Sequence, residues 1–460
     1  MNRVVGRSGI LLILVLLLAA GTAFFVGDYM LNSGDWVMEE GSPHVYTDYS
    51  SVSGIITDRN GILLMDTTDG RVYTENGLLR QSIIHWLGDR RGNIYTPMIS
   101  HYAAQLTGHD PINGLYVYGN EGGRITLTLS AKAQMAALEA MGDRKGTVAV
   151  YNYKTGEILC AVTTPTFDPD DEPDISGDTT GQYEGVYVNR FLKSAYIPGS
   201  VFKIVTVAAA LETVPDIQEQ TFLCEGVRIY GSGEKQRVTC MKEHGEQTLE
   251  EAFLNSCNCA FASIADQFGG EVLEQYARQL GITGSLSFDG MSTVKGNIQS
   301  AGSDALLTAW SAIGQHNDQI NPCQFMTLVG AIAGGGTGAA PYIVSSIDGG
   351  KWGSYQVETT QTDSGLSAET VQTLQALLRN NVENFYGDEN FPGMTVCAKS
   401  GTAQVGGDAE DNSMFAGFVA DEEYPLAFIA VVENGGSGRQ TCVPILSAVL
   451  AACKEVLDGE

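Results

Sequence analysis

The sequence predicts an α+β protein of several parts: an N-terminal transmembrane helix, a small β-rich pedestal, and a large domain. In the large domain a sheet is packed by helices and joined to a largely helical lobe. Three observations carry this prediction. An uncharged apolar run spans Ile10 to Val26. Short strand-like pieces separated by Gly, Asn and Asp turns follow it. Strand-like runs then stand at both ends of the remaining sequence with helical patterns between them, an order that folds as one sheet covered by helices on both faces. The expected divisions are residues 1–9 (cytoplasmic tail), 10–27 (anchor), 28–122 (pedestal or spacer) and 123–460 (large domain).

The anchor run holds 17 residues, just enough to span a bilayer with little tilt. Arg3 and Arg7 precede it, and Asp28, Asp35, Glu39 and Glu40 follow. That asymmetry places the N-terminus in the cytoplasm and the remainder outside the cell membrane, as a single-pass protein. Ala19-Ala20-Gly21-Thr22-Ala23 offers the small residues of a cleaved signal peptide. The apolar run continues past them through Phe24, Phe25 and Val26, which favours an uncleaved anchor.

In the pedestal, strand character falls at Gly54–Thr57, Gly61–Met65, Arg71–Thr74 and Leu115–Tyr118. The large domain opens with an amphipathic helix, Ser130–Met141. Two strand-like runs, Thr147–Tyr153 and Glu157–Val162, then flank a turn at Lys154-Thr155-Gly156. After a helical block come a strand through Thr395–Gln404 and two more at Met414–Val419 and Leu426–Glu433, with a turn at Asp421–Tyr424. Pro444–Leu457 reads as a closing helix.

Composition narrows the function classes. With 26 basic and 54 acidic residues the net charge is −28, which argues against nucleic-acid binding and fits a soluble extracellular domain. The acidic run Asp168–Asp178 contains Pro169 and Pro173 and lacks calcium-loop spacing, so it reads as a solvated loop. Nine cysteines, an odd count, spell no metal site, and no metal or other cofactor is expected. Cys224 and Cys240 flank a Gly-rich hairpin, Gly231-Ser232-Gly233, and could pair as a disulfide outside the cell, although spacing does not fix connectivity. Cys160, Cys259, Cys323, Cys397 and Cys453 sit in apolar settings as packing residues.

Three short strings point to serine acyl transfer: Ser200-Val201-Phe202-Lys203, Ser256-Cys257-Asn258 and Lys399-Ser400-Gly401-Thr402. They supply a hydroxyl beside an amine, a second hydroxyl with an amide, and a cation beside a glycine-containing strand. Two more Ser-x-x-Lys strings, Ser232–Lys235 and Ser292–Lys295, lie in polar turns and loops, and Lys154-Thr155-Gly156 marks a hairpin turn. Context separates the functional copy. From Tyr196 to Leu211 the only charge is Lys203, so the helix is buried on every face. Pro198-Gly199 breaks the chain before it, placing Ser200 at a helix start with Lys203 within reach on the same face. A buried ammonium is disfavoured, so Lys203 should have a lowered pKa and serve as a general base. Thr248-Leu249-Glu250-Glu251 reads as a capping box opening a helix, and Ser256 and Asn258 suit a short break before the next one. Cys257, between them, is a candidate to face the cleft. Gly401 would leave room for a substrate backbone against the strand.

These strings, with Asn189-Arg190-Phe191, Tyr196-Ile197-Pro198-Gly199, Ala403-Gln404, Gly417-Phe418 and Gly54-Ile55-Ile56-Thr57-Asp58-Arg59-Asn60-Gly61, resemble the penicillin-binding transpeptidases, specifically their class B members. The second and third motifs follow Ser200 by 56 and 199 residues, and the resemblance runs from about residue 50 nearly to the C-terminus. It implies a five-stranded antiparallel sheet and an enzyme that cross-links peptidoglycan stem peptides. Ser200 would attack the penultimate D-alanine carbonyl, with Lys203 taking its proton. Ser256 would pass a proton to the leaving D-alanine, and Asn258 would hold the substrate amide and Lys203. The N–H groups of Ser200 and Thr402 would form the oxyanion hole, and Lys399, Ser400 and Thr402 would bind the terminal carboxylate, with Gly401 lining the substrate. β-Lactams would acylate Ser200.

The roughly 95 residues between anchor and catalytic region are too few for the polymerising domain of bifunctional relatives. Any polymerase partner would therefore be a separate protein, and the resemblance implies a membrane glycan polymerase of the SEDS type. Gly314-Gln315-His316 departs from the family's frequent Gly-Gln-Gly, and Met414 stands where an aromatic commonly precedes the Phe. A D,D-carboxypeptidase remains open, because acceptor choice is not visible in the motifs. A serine β-lactamase lacks a clear deacylating carboxylate here; Glu251-Ala252-Phe253-Leu254-Asn255 resembles one such string but precedes the second motif. A β-lactam sensor would need a sizeable intracellular domain.

Overall fold

The computed structural model describes residues 2–37, 54–67, 71–94, 97–102, 105–106, 122–233, 236–300, 304–348, 354–406 and 410–459. A single helix, Asn2–Val37, contains the expected anchor and extends beyond it at both ends. Within it Arg7–Ser33 is apolar and long enough to cross a membrane, and its apolar run from Ile10 to Val26 is exposed.

The pedestal is built on a six-stranded sheet. Gly54–Thr57 pairs antiparallel with Leu63–Asp66 and parallel with Gly123–Leu127, and Val72–Tyr73 closes one edge. The other edge is supplied from far along the chain by Val344–Asp348 and Ser354–Gln356. The expected division between residues 122 and 123 therefore runs through one sheet. Backbone pairing carries little side-chain signature, so which distant strand joins a short edge is not written in local pattern. The expected strand at Leu115–Tyr118 lies outside the described residues.

The second sheet has five strands, all antiparallel, in the order Val396–Ala403, Asn412–Val419, Leu426–Val432, Gly146–Asn152, Ile158–Thr164. Its strands read as continuous apolar runs because both faces are covered. Ala149, Tyr151, Ala416, Phe418, Ala427 and Ile429 join the core that includes helix Pro322–Ala333. Val148, Val150, Phe415, Phe428 and Ala430 face the opposite way, toward helices Ala131–Met141 and Gly438–Asp458. The period-2 alternation of side chains sorts neighbouring residues into these two cores. The first of those helices, expected from Ser130, starts at Ala131, with Ser130 as its cap. The last begins at Gly438, capped by Ser437, so Pro444 lies inside it rather than at its start. A proline there removes one helical N–H, a loss the packed apolar face tolerates.

The helical lobe comprises Lys203–Thr213, Leu249–Leu254, Asn258–Gln279 and Ala305–Ala312. The Thr248–Glu251 capping box opens the second of these. A small β excursion leaves the lobe: Thr221–Cys224 pairs with Gly245–Thr248, and Val227–Ile229 pairs with Arg237–Thr239 as the expected Gly-rich hairpin. This excursion packs against the start of helix Asn258–Gln279.

Candidate active site

Ser200 lies in a 3₁₀ turn, Gly199–Phe202, and the α-helix begins only at Lys203. Gly199 adopts φ +55°, where a side chain would be strained, and a Cβ there would meet Thr402 O at 2.6 Å. The turn thus lies directly on the edge strand Val396–Ala403. Lys203 is fully buried. Its Nζ lies 3.1 Å from Ser200 Oγ, 2.7 Å from Ser256 O, 3.2 Å from Ser256 Oγ and 2.8 Å from Asn258 Oδ1. Burial lowers its pKa to about 7. The two shortest contacts are to pure acceptors, a carbonyl and an amide oxygen. In the neutral amine they take both N–H groups and leave the lone pair to accept a proton from Ser200 or Ser256.

The second string forms the break between two helices, as its composition predicts. Ser256 takes a left-handed φ of +51°, and Cys257, not Ser256 or Asn258, caps the helix that follows. Asn258 gives its oxygen to Lys203 and its Nδ2 to Thr239 O at 3.0 Å, which fixes the orientation of the amide. Cys257 is fully buried and turned away from the cleft, contrary to expectation. Its sulfur meets the β excursion instead. All nine cysteines are free, so Cys224 and Cys240 are not joined. Cys240 Sγ faces Cys257 Sγ at 3.9 Å and His244 Nδ1 at 3.5 Å. Residues whose spacing spelled no metal set are thereby gathered at one place.

Lys399 is buried, its Nζ 3.3 Å from Ser400 O and 5.7 Å from the centre of the Phe253 ring. Burial first, and then the charge of Lys203, holds its pKa well below the usual lysine value. The strand carrying it is an edge strand, and its outward groups alternate. Arg379 donates to Val396 O, Asn381 to Ala398 O and Gln315 to Thr402 O. In antiparallel pairing a residue's N–H and C=O point to the same side. The Thr402 N–H therefore opens on the free edge, beside Gly199 and Ser200. Thr402 itself is exposed, with Oγ1 accepting from Gly438 N at 3.3 Å. The room expected for a substrate at Gly401 is filled by the chain: a Cβ there would meet Pro198 O at 2.5 Å. Gly401 lets the nucleophile turn seat against the strand.

The protein-family model for the penicillin binding protein transpeptidase domain matches residues 146–451. The chain belongs to this family. Among related proteins, it is 27% identical over 382 residues to the peptidoglycan D,D-transpeptidase PbpA of Mycobacterium tuberculosis, covering 77% of this chain and 75% of that one. It is 29% identical over 374 residues to the stage V sporulation protein D of Bacillus subtilis, covering 73% and 54%. Among solved structures, penicillin-binding protein A of M. tuberculosis as a ceftriaxone acyl-enzyme complex superposes with a TM-score of 0.74 at 24% identity, covering 87% of this chain and 98% of that one. That likeness establishes the penicillin-binding transpeptidase fold.

Several residues of this penicillin-binding transpeptidase site escape sequence reasoning. Tyr386 OH donates to Ser400 Oγ at 2.9 Å and accepts from Ser400 N at 2.8 Å. Nothing in its local sequence announces that task. The Phe261 ring lies 5.2 Å from Lys203 Nζ, and the Phe253 ring lies 5.7 Å from Lys399 Nζ. His316 has φ +70°, the conformation that explains a frequent glycine there. Met414 is buried opposite Gly401 in the strand register, behind the site. The decoys separate cleanly. Lys295 and Lys154 are exposed, and the Lys154 turn is held by Asn152 Oδ1 accepting from Lys154 N and Thr155 N. In the Ser232–Lys235 string, Lys235 lies outside the described residues.

Proposed function

We propose that the chain is a membrane-anchored peptidoglycan D,D-transpeptidase that works through a Ser200 acyl-enzyme. The observation that carries this is one buried amine, Lys203, reaching Ser200, Ser256 and Asn258 together. Ser200 Oγ attacks the penultimate D-alanine carbonyl of a donor stem peptide, and its proton passes to Lys203. Negative charge developing on the carbonyl oxygen is met by the backbone N–H groups of Ser200 and Thr402. Ser256, bridged to Lys203, returns the proton to the amine of the departing D-alanine as the C–N bond breaks. An amine of a second stem peptide then displaces Ser200 from the ester, and the new amide is the cross-link.

Lys399, Ser400 and Thr402 bind the terminal carboxylate. Tyr386 donates to Ser400 Oγ, so the Ser400 hydroxyl proton stays free to donate to that carboxylate. β-Lactams acylate Ser200 by the same route and persist. Among the described residues, the side chains hydrogen-bonded to Lys203 are those of Ser200, Ser256 and Asn258, none a carboxylate, which favours a slow-hydrolysing acyl-enzyme over a β-lactamase. The N-terminus is cytoplasmic and the catalytic domain extracytoplasmic, where a separate SEDS-type glycan polymerase supplies the strands to be joined.

The test is covalent labelling with a fluorescent penicillin. The full chain should label stably and Ser200→Ala should not; an unlabelled wild type would sink the proposal, and rapid loss of label would turn it to a β-lactamase. D-alanine release that rises with an added amine acceptor supports cross-linking. Release indifferent to amine would make the chain a D,D-carboxypeptidase.

A further inference from the structure

The two hydroxyls assigned to the terminal carboxylate share one local arrangement. Ser400 Oγ accepts from Tyr386 OH at 2.9 Å, and Thr402 Oγ1 accepts from Gly438 N at 3.3 Å. The protein thus engages each oxygen as an acceptor and leaves each hydroxyl proton to donate elsewhere. The elements that hold them are the turn Val382–Tyr386 and the start of helix Gly438–Asp458. These two elements meet through one further contact, in which Arg439 Cζ lies 4.5 Å from the centre of the Phe385 ring. Phe385 precedes Tyr386 and Arg439 follows Gly438, so the pair borders both hydroxyls. We propose that Arg439, laid on Phe385, is a substrate-binding residue that selects donors ending in a free carboxylate. This inference rests on the acyl-transfer reading and supplies the standing positive charge of its carboxylate subsite.

Lys399 is poorly placed to be that charge. It is buried, and burial first and the charge of Lys203 second hold its pKa well below the usual lysine value. A guanidinium, by contrast, stays protonated at any pH at which the enzyme works. Arg439 is exposed and makes no ion pair among the described residues. The chain has 54 acidic and 26 basic residues, so a cation left without a carboxylate beside the cleft is available to a ligand.

The way Arg439 is held suits this task. Phe385 is 45% exposed, an aromatic platform at the surface that grips the guanidinium by its flat face. The N–H groups lie around the rim of that plane, so stacking leaves them free to meet a carboxylate with two parallel bonds. The charge already reaches the subsite. Burial pushes the Tyr386 phenol up, its bonds to Ser400 oppose that rise, and the Arg439 charge opposes it further. Gly438 N also belongs to the first turn of a 21-residue helix, whose N-terminal end favours an anion.

The test uses the full chain in detergent and two acyl-D-alanyl thioester donors that differ only at their ends, one a free carboxylate and the other its carboxamide. Arg439→Gln should raise KM for the carboxylate donor about tenfold, as expected for a lost charge-assisted bond, with kcat changed by less than about twofold. For the carboxamide donor, KM should be the same in wild type and variant. Added salt should raise KM for the carboxylate donor in the wild type and not in Arg439→Gln. Arg439→Lys keeps the charge without the planar fork and should recover only part of the loss.

An unchanged KM for the carboxylate donor in Arg439→Gln would overturn the proposal. So would an equal loss on both donors, the mark of a merely structural residue. If that variant folds poorly, Phe385→Leu decides, because it keeps the charge and removes the platform. It should raise KM for the carboxylate donor alone, and a loss shared by both donors, or no loss, would overturn the role. Labelling of the wild type by fluorescent penicillin separates the two readings. A wild type that labels stably while Arg439→Gln keeps its KM leaves the Ser200 acyl-enzyme standing and removes Arg439; an unlabelled wild type removes both.

Discussion

At the scale of single residues, the site turns on an amine kept out of water. Lys203 can serve as a base only when neutral, and burial lowers its pKa to about 7. Below that pH the ammonium has no lone pair for the Ser200 proton. Acylation by a fluorescent penicillin should therefore rise with pH through about 7 and level off above it, with Lys203 as the titrating group. A rate flat between acid and neutral pH would remove Lys203 from the base role. Lys203→Arg should cost on the order of a thousandfold in acylation rate, because a guanidinium stays protonated. This much was legible in sequence, since one charge in an apolar helix needs a reason. What was not legible is how the charge is surrounded: Asn258, Ser256 and Phe261 approach from a segment more than fifty residues away. The Gly401 position shows the opposite error. A missing side chain on a strand announces close approach but not what approaches, and here it is Pro198.

At the scale of elements, the edge strand Val396–Ala403 binds its own fold along most of its free side and leaves its end beside the nucleophile. Edge strands commonly attract foreign strands unless covered. Here Arg379, Asn381 and Tyr386 cover the part before Gly401. Tyr386→Phe removes both bonds to Ser400 and leaves a buried N–H unpaired, so stability should fall by about 1–3 kcal/mol in a denaturant titration. Penicillin acylation should weaken chiefly through affinity, as Ser400 loses its fixed rotamer; an unchanged midpoint would show that water replaces the phenol. Gly401→Ala pushes a methyl into the nucleophile turn, and overpacking of this kind costs about 1–3 kcal/mol. Its acylation rate should drop while Lys203 remains titratable, and wild-type kinetics would mean the turn shifts freely. The five strands were readable as apolar runs because both faces are buried. The partners along the edge were not, since each comes from a side chain in another element.

At the scale of the whole molecule, the pedestal and catalytic parts are joined as one folded body at Asp58. The six-stranded sheet already draws Val344–Asp348 from within the family-matched region, so the pedestal cannot close from the preceding residues alone. That long-range pairing is invisible in sequence, and so is the part played by Asp58, where Asp58-Arg59-Asn60-Gly61 shows only a turn. Asp58 is fully buried and bears no partner cation in its hydrogen bonds: Oδ1 accepts from Asn60 N at 2.9 Å and Ile62 N at 2.8 Å. Its Oδ2 accepts from Ala131 N at 3.0 Å, the first turn of the helix that backs the catalytic sheet. One carboxylate therefore shapes the pedestal turn and terminates a catalytic-domain helix. Asp58→Ala leaves the buried Ala131 N–H without its acceptor and frees the Asn60 and Ile62 N–H groups of an exposed turn, and the loss should be about 1–3 kcal/mol. Because the joint is shared, the melting transition should move down as a single step, with acylation of Ser200 in the folded fraction at 25 °C little changed. Two separated transitions would show instead that the pedestal and the catalytic part unfold independently, and an unmoved transition would show that the three donors find water.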